Sequence, residues 1–450
     1  MDKASQKRTE AMGTEGISKL LLHFSAPAII ANEAAAGYEL FDAIWCGRLC
    51  TEALAALTVA GPLMAIYRAI GSGIGVGSSS LIARCLGAGK KDETNRAACN
   101  SMSLFFMVSG LVAFICLMGL EALLWLFGAS ESVMPFAYSY MFIETLAMPV
   151  DFFLIVAAEL TRAQGSPAIA GTGLIVASLA DLIWSPILVF GIGPFPALGI
   201  AGAALGTLIG RSVGVTLLLI YLRFRSIYKF KMSYFIPDWK IIGSIYSIGA
   251  SSSLRASAVS ISQMLACRAA SSFGTVPLAV LGTLFRINRI NFAFSMGISQ
   301  GMLPLVGYNY GARKNERVRK IVVKAGLVSF SWGSLWCMAA LLFPAQALSL
   351  FSQDPEFLRE GIHALQIFAL SFLTVPEIII SSFFQGIGKA IPSLLVTSSR
   401  QLIFLIPCLL LLPYIFGLDG LWSAYPTAGA LAVMLGLIMT IFQFRKLTNH

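Results

Sequence analysis

Residues 73–97, GIGVGSSSLIARCLGAGKKDETNRA, and residues 297–321, GISQGMLPLVGYNYGARKNERVRKI, are two versions of one segment set 224 positions apart. That offset lays Gly73 on Gly297, Ile74 on Ile298, Gly77 on Gly301 and Leu81 on Leu305, and it lays Gly87, Ala88 and Lys90 on Gly311, Ala312 and Lys314. Upstream it still lays Leu54, Ala55 and Leu57 on Leu278, Ala279 and Leu281, so the match is wider than one glycine-rich patch. The offset is close to half of the 450 residues, and the chain therefore reads as two copies of one unit.

The apolar runs decide what that unit is. A hydrocarbon core about 30 Å thick needs roughly 20 apolar residues per helix, and polar or Gly/Pro breaks divide the chain into a dozen such stretches. They fall near 20–46, 53–86, 98–127, 133–160, 167–193, 199–222, 241–271, 277–310, 322–350, 358–385, 391–417 and 419–444. With 57% apolar and 12% charged residues, the chain cannot cover a soluble surface of this size. Six spans per copy is an even number, so the second copy enters the membrane in the same sense as the first. The expectation is an all-α integral membrane protein of twelve transmembrane helices, in two six-helix lobes related by a pseudo-two-fold axis along the membrane normal, with a substrate path between them. The lobes cover 20–222 and 241–444, joined by a linker at 223–240 and flanked by tails at 1–19 and 445–450.

Charge orients the chain. Alternating the loops puts Lys3, Lys7, Arg8, Lys19, Lys90, Lys91, Arg96, Arg162, the linker bases and the Arg313–Lys324 cluster on one side, together with Lys389, Arg445 and Lys446. The other side receives Arg48 and Arg359. The positive-inside rule makes the crowded side cytoplasmic, with both termini facing it, in the cell membrane. The net charge of +10 is thus explained by short loops flanking spans, and nucleic acid is not an expected partner. No small-residue cleavage site follows the N-terminal bases, so no removable signal peptide is expected.

Eight cysteines without metal-ligand pairs and three histidines without a cluster read as packing residues. No nucleophile–base set, nucleotide loop or metal cluster is evident; an enzyme is not expected, nor is a cofactor, and energy for transport would come from an ion gradient. Gly73 and Gly77, like Gly297 and Gly301, stand four apart and suit close helix packing. Ionisable residues inside spans are more telling, since each costs at least about 2.5 kcal/mol on insertion scales. Glu33, Glu39 and Asp42 fall in the first span, Glu121 in the third, Glu144, Asp151 and Glu159 in or near the fourth, and Asp181 in the fifth. The second half offers Glu377. Cation chemistry is therefore expected in the first lobe. Glu39 and Asp42 share a helix face, and Asp181 stands four before Ser185, with Pro186 following. Pairing with buried arginines or capping of bent helices is the structural reading of these acids, and Glu33, Glu121 and Glu144 are read as lying near span ends. Arg68, Arg84, Arg211, Arg255, Arg268, Arg286, Arg289 and Arg400 also fall within spans, and Arg286 and Arg289 could face an acid or an anionic substrate across the cleft.

Four stretches carry a resemblance to a known family: FDAIWCGRLCTEALAAL at 41–57, LTRAQGSP at 160–167, DLIWSPILVFGIGPFPALGIAGAALGT at 181–207, and QGMLPLVGYNYGARK at 300–314, paired with LGAGKK at 86–91. Over nearly its whole length the chain resembles the multidrug and toxic compound extrusion (MATE) transporters. The resemblance implies alternating access between two lobes and export of organic cations, drugs or toxic metabolites in exchange for H+ or Na+. Asp42 matches the acid the family carries in its first span. Near the fifth-span proline the family often shows Asn and Asp four apart, where this chain has Asp181 and Ser185; that departure favours H+ over Na+.

The expected coupling set is Asp42, Glu39, Asp181, Ser185 and Thr207, with Na+, if used, at Asp42 and Asp181. The expected substrate cleft comprises Gln263, Arg286, Asn288, Phe292, Gln300, Tyr308 and Asn309, with Phe41, Trp45, Trp184, Phe190, Phe285 and Phe294 available as aromatic walls. Expected partners are small molecules and the bilayer, and the chain is expected to act as a monomer. A lipid-linked oligosaccharide flippase of the same superfamily is the alternative function, consistent with the eight in-span arginines. A non-transporting receptor would not need Asp42 and Asp181.

Overall fold

The computed structural model describes residues 8–351 and 354–448; the side chains at 36–44, 47, 51, 54, 58, 256, 257, 275 and 448 fall outside the description. Every regular element among the described residues is helical, as backbone crossing a bilayer requires, since hydrocarbon offers its N–H and C=O groups no partners. The first half comprises α1 (Ile17–Leu49), α2 (Thr51–Gly87), α3 (Lys91–Met118), α4 (Met134–Ala163), α5 (Pro167–Phe190) and α6 (Ile200–Arg225). The second comprises α7 (Trp239–Ser271), α8 (Thr275–Gly311), α9 (Asn315–Leu342), α10 (Pro355–Gly386), α11 (390–416) and α12 (418–448). Short helices Leu120–Leu126 and Pro344–Ser349 follow α3 and α9. The twelve expected spans each correspond to one of these helices.

The duplication is visible in the helix ends. α2 and α8 are both 37 residues long and start at 51 and 275, while α3 and α9 are both 28 residues long and start at 91 and 315. Each pair is displaced by the 224 residues read from the sequence. Among the described residues, α10 tightens to a 3-10 turn over Ala369–Thr374, and α11 widens to a π-turn over Ser399–Leu405. Gly417, with φ 59°, then breaks α11 from α12. Among the described residues, eight segments are apolar enough to cross a membrane by length and composition alone, one of them covering α11 and α12 together; α1, α7 and α8 are not among them. In α7 and α8, Arg255, Gln263, Arg286, Asn288, Arg289, Asn291 and Gln300 lower the hydropathy, because these helices lie between the lobes and not against lipid alone.

The halves meet through α1 on α8, α2 on α7, and α2 on α8. The offset converts α1 into α7 and α2 into α8, so the first two contacts are one contact made twice, as a two-fold axis demands. Its basis is the duplicated glycines. A β-carbon at Gly73 or Gly77 would strike the backbone of Gly249 or Ile245, and one at Gly297 or Gly301 would strike the backbone of Ile29 or of Phe24 and Ser25. Gly87 and Gly311 lie against the carbonyls of Tyr308 and Arg84, each in the other helix. These approaches crowd towards the ends of α2 and α8 that carry the basic loops, and the lobes are closed there. The N-terminal segment adds to the closure. Thr9 Oγ1 donates to the Gln164 carbonyl (2.8 Å), Asn309 Nδ2 to Met12 O (3.0 Å), Lys314 Nζ to Gly13 O (2.8 Å) and Arg317 Nη2 to Glu15 O (2.7 Å). Met12 is fully buried between the halves.

A Gly77→Val substitution places a branched side chain into the Ile245 carbonyl, whereas a β-carbon added at Gly110 would have nothing within 4 Å. Gly77→Val is expected to destabilise the folded protein by about 1–3 kcal/mol, and Gly110→Ala to leave its stability equal or slightly raised. Thermal unfolding of both variants in detergent checks this; equal midpoints for wild type and Gly77→Val would mean the seam is not tight.

Candidate coupling site and central cavity

Helix α6 carries a glycine every fourth residue, at 202, 206, 210 and 214. On one face these let α5 come against its backbone: β-carbons there would strike Leu188, Ser185, the Ala177 carbonyl with the Asp181 N–H, and the Gly173 carbonyl. The α5–α6 contact is the most extensive helix pair in the molecule. It brings Asp181 and Ser185 of α5 beside Thr207 and Arg211 of α6. This four-residue glycine ladder is a sequence signal that places the site, and it is absent from the expectations above.

Asp181 and Thr207 are both 3% exposed and line a cavity of about 310 Å³ inside the first lobe. Arg68, Asp151, Glu159, Arg162 and Arg211 line it too, and Met296 and Gln300 close it from α8 of the other half. Arg211 is shared between two acids of α4: Nη1 contacts Glu144 Oε2 at 2.7 Å and Nε contacts Asp151 Oδ1 at 3.2 Å. Arg162 pairs with Glu159 one helical turn away. Glu144, read from the sequence as lying near a span end, is instead 1% exposed, because α4 crosses α6 at that level and Arg211 neutralises it. Asp181 differs from these acids in making no ion pair among the described residues; a buried oxygen without a hydrogen-bond partner is common to Asp181, Glu144 and Glu159. Asp181 Oδ1 accepts from Ser185 Oγ at 2.7 Å, while Oδ2 is buried with no hydrogen-bond partner among the described residues. Thr207 Oγ1 donates to the Ala203 carbonyl at 3.1 Å. The site thus holds one carboxylate outside any described ion pair, set among acids that arginines already neutralise.

The second lobe is built differently. Glu377 Oε2 receives Arg400 Nη1 at 3.2 Å, and the π-turn of α11 carries Arg400. Arg255 of α7 touches Met296 Sδ through Nη2 at 3.7 Å, and its Nη1 is shielded without a partner among the described residues. The second lobe also buries a network of hydroxyl and amide groups: Gln385 Nε2 donates to Ser251 Oγ and Ser252 Oγ at 3.1 and 3.0 Å, and Ser381 and Thr397 share a bond of 2.6 Å.

The expected site residues separate into groups. Asp181, Ser185 and Thr207 come together as described. The side chains of Glu39, Phe41 and Asp42 lie outside the described residues. Gln300 is at the wall of the first-lobe cavity, and Arg286 and Arg289 are exposed further along α8, towards its start. Gln263 is exposed, and Asn288 and Phe292 are half-buried. Tyr308 and Asn309 are elsewhere: Asn309 is fully buried, bonded to Met12 O and Leu305 O and accepting from Arg317 Nε at 3.1 Å. They belong to the closed basic end, because α8 has passed the cavity and is crossing α2 by that point.

Arg211→Ala is expected to destabilise the protein by about 3–5 kcal/mol, because it leaves Glu144 and Asp151 as buried uncompensated charges. Adding Glu144→Gln and Asp151→Asn should recover most of that loss. Unfolding midpoints of the single and triple variants measure it, and a single variant as stable as wild type would refute the shared ion pair.

The MatE family profile matches residues 27–187 and 252–410, two segments whose starts are 225 apart and whose ends are 223 apart. A FAD transporter of Shewanella oneidensis is 26% identical over 423 residues, covering 92% of each chain. The multidrug export protein MepA of Staphylococcus haemolyticus is 27% identical over 414 residues, covering 90% of each. Among solved structures, an outward-facing multidrug resistance MATE family transporter superposes with a TM-score of 0.90 at 24% identity, over 98% of both chains.

Proposed function

The chain belongs to the MATE family of multi-pass membrane transporters, and on that footing we propose that it exports drugs or other small toxic molecules by alternating access, in exchange for protons. The observation that carries this reading is Asp181, a buried carboxylate with no ion pair among the described residues, inside a cavity where Asp151 and Glu159 are paired with arginines. A proton on Oδ2 removes the buried charge and gives the oxygen something to donate. An Na+ ion would need several further oxygen ligands, which at this cavity would have to come from side chains such as Asn32, Ser178, Thr207 and Gln300. Binding drives a lobe movement only if the proton's affinity differs between the two states. The wall formed by Met296 and Gln300 supplies such a difference, because it belongs to the lobe that must move. The chain would sit in the cell membrane as a monomer with both termini and the 223–240 linker in the cytoplasm, the lobes 20–222 and 241–444 rocking about the cleft.

A second reading concerns the substrate. Arg255 presents a guanidinium nitrogen without a described partner beside Met296, and Glu377 is already engaged by Arg400. An anionic group on the cargo would answer that charge, in keeping with a relative named as a FAD transporter. Transport of anionic and cationic dyes in parallel separates the two.

In proteoliposomes, Asp181→Asn should still bind substrate but lose efflux driven by a pH gradient, falling at least about 100-fold, while Glu377→Gln retains it. An Asp181→Asn protein that pumps at the wild-type rate would reject the assignment, and efflux driven only by an Na+ gradient would reject the proton.

The closed basic end must open in each cycle. A disulfide between Ala88→Cys and Ala312→Cys, at the adjoining ends of α2 and α8, should stop transport and reduction should restore it. Full activity with the crosslink formed would show that these ends do not separate.

A further inference from the structure

At the basic end, beside the α2–α8 crossing, a cavity of about 810 Å³ is lined by Arg84, Lys90, Arg313, Lys389 and Lys446, against a single acid, Glu93. That acid is already taken: Lys90 Nζ donates to Glu93 Oε1 at 2.9 Å. Lys389 Nζ donates to Gln443 Oε1 at 2.7 Å, and Arg84 Nε donates to the Ser80 carbonyl at 3.3 Å while its guanidinium lies against Gly388; all three partners are neutral. The side chains of Arg313 and Lys446 make no hydrogen bond or ion pair among the described residues. Five bases around one cavity repel one another unless an anion is shared between them.

The two-fold repeat supplies a control. A second cavity, of about 570 Å³, is lined by Leu86, Gly87, Gly89, Lys91 and Tyr308. The 224 offset carries these onto Tyr310, Gly311, Arg313, Asn315 and, in the reverse direction for Tyr308, Arg84, all of which line the first cavity. The second cavity is balanced. Its Lys91, Lys229 and Lys231 face Asp92 and also Glu10, which the N-terminal segment brings in. No described segment brings a further acid into the first.

Arg313 itself points the same way. It has φ 57°, the one positive value at a non-glycine residue among those described, and its counterpart in the first half is Gly89, with φ 72°. A side chain in that conformation costs roughly 1–2 kcal/mol. The second half carries that strain where glycine fits freely, and the result is an arginine at the cavity wall.

We propose that this cavity is a binding site for a phosphate-bearing anion. The anion bridges Arg84 and Lys90 of the first lobe to Arg313, Lys389 and Lys446 of the second and holds the α2 and α8 ends together. Basic hollows between helices on the cytoplasmic side suit the headgroup phosphate of an anionic lipid, and a dissolved phosphate offers the same chemistry. The assignment of this end to the cytoplasm rests on the transporter reading above; the binding does not, and is measured without transport.

The protein is purified in full length and placed in nanodiscs of phosphatidylcholine alone or with phosphatidylglycerol, and in phosphatidylcholine with inorganic pyrophosphate added. Bound lipid is counted by native mass spectrometry and the unfolding midpoint is recorded. The variant is Arg313→Gly with Lys446→Gln, which restores the unstrained residue of the first half; Lys446→Gln alone serves if the pair does not fold. Retention of phosphatidylglycerol by the wild type, weakened at least about tenfold in the variant, identifies a lipid site. A midpoint raised by pyrophosphate in the wild type and unmoved in the variant identifies a soluble anion. Equal retention of both lipids with no response to pyrophosphate, or a variant that binds as the wild type does, overturns the proposal. Failed efflux with intact anion binding would count against the transport reading and leave this site standing.

Discussion

Backbone lies on backbone where α2 crosses α8, and the two-lobed structure depends on that contact. Gly87 rests on the Tyr308 carbonyl and Gly311 on the Arg84 carbonyl, while Gly73, Gly77, Gly297 and Gly301 let α7 and α1 approach further up the same two helices. Between helices in a bilayer, lipid tails remove most of the hydrophobic gain, and association relies on close van der Waals fit. Small residues at matched positions in both copies give that fit twice.

On this symmetric frame the charges are asymmetric. The first lobe buries Glu144, Asp151, Glu159 and Asp181 with Arg162 and Arg211; the second holds Glu377 with Arg400 and Arg255, and the repeat offset puts Phe368, Val375, Phe383 and Leu405 where the first lobe has its four acids. Duplication fixed the helix paths, and the two copies then took different side chains at the same depth. A buried carboxylate outside the described ion pairs, Asp181, is what the proposed proton exchange would use. A lobe of hydroxyls and surplus guanidinium is suited to contact cargo. The same divergence appears at the basic end, where one of two related cavities is balanced by Glu10 and Asp92 and the other is left with five bases and one acid.

The helices themselves were legible because a span is a local property. About 20 apolar residues suffice to commit a segment to the bilayer whatever its neighbours do, and the repeat offset needs only the two segments that carry it. So the twelve spans, the duplication, the crowding of bases at one end and the pairing of Asp181 with Ser185 on one helix face could all be read in advance. Glu144, Tyr308 and Asn309 could not. Glu144 is buried because Arg211, 67 residues away, reaches it from α6. Asn309 holds the N-terminal segment because Met12, 297 residues away, is brought beneath it.

The sequence by itself determined the membrane class, the two-copy plan and the lobe that holds most of the buried acid, since burial in hydrocarbon and helical spacing act on each segment separately. Only the tertiary structure decided which acid stays outside an ion pair, which end of the cleft is closed, and which basic residues share a cavity. Those outcomes depend on the level at which helices far apart in the chain cross one another, and the crossing level is set by small-residue contacts that a single helix does not reveal.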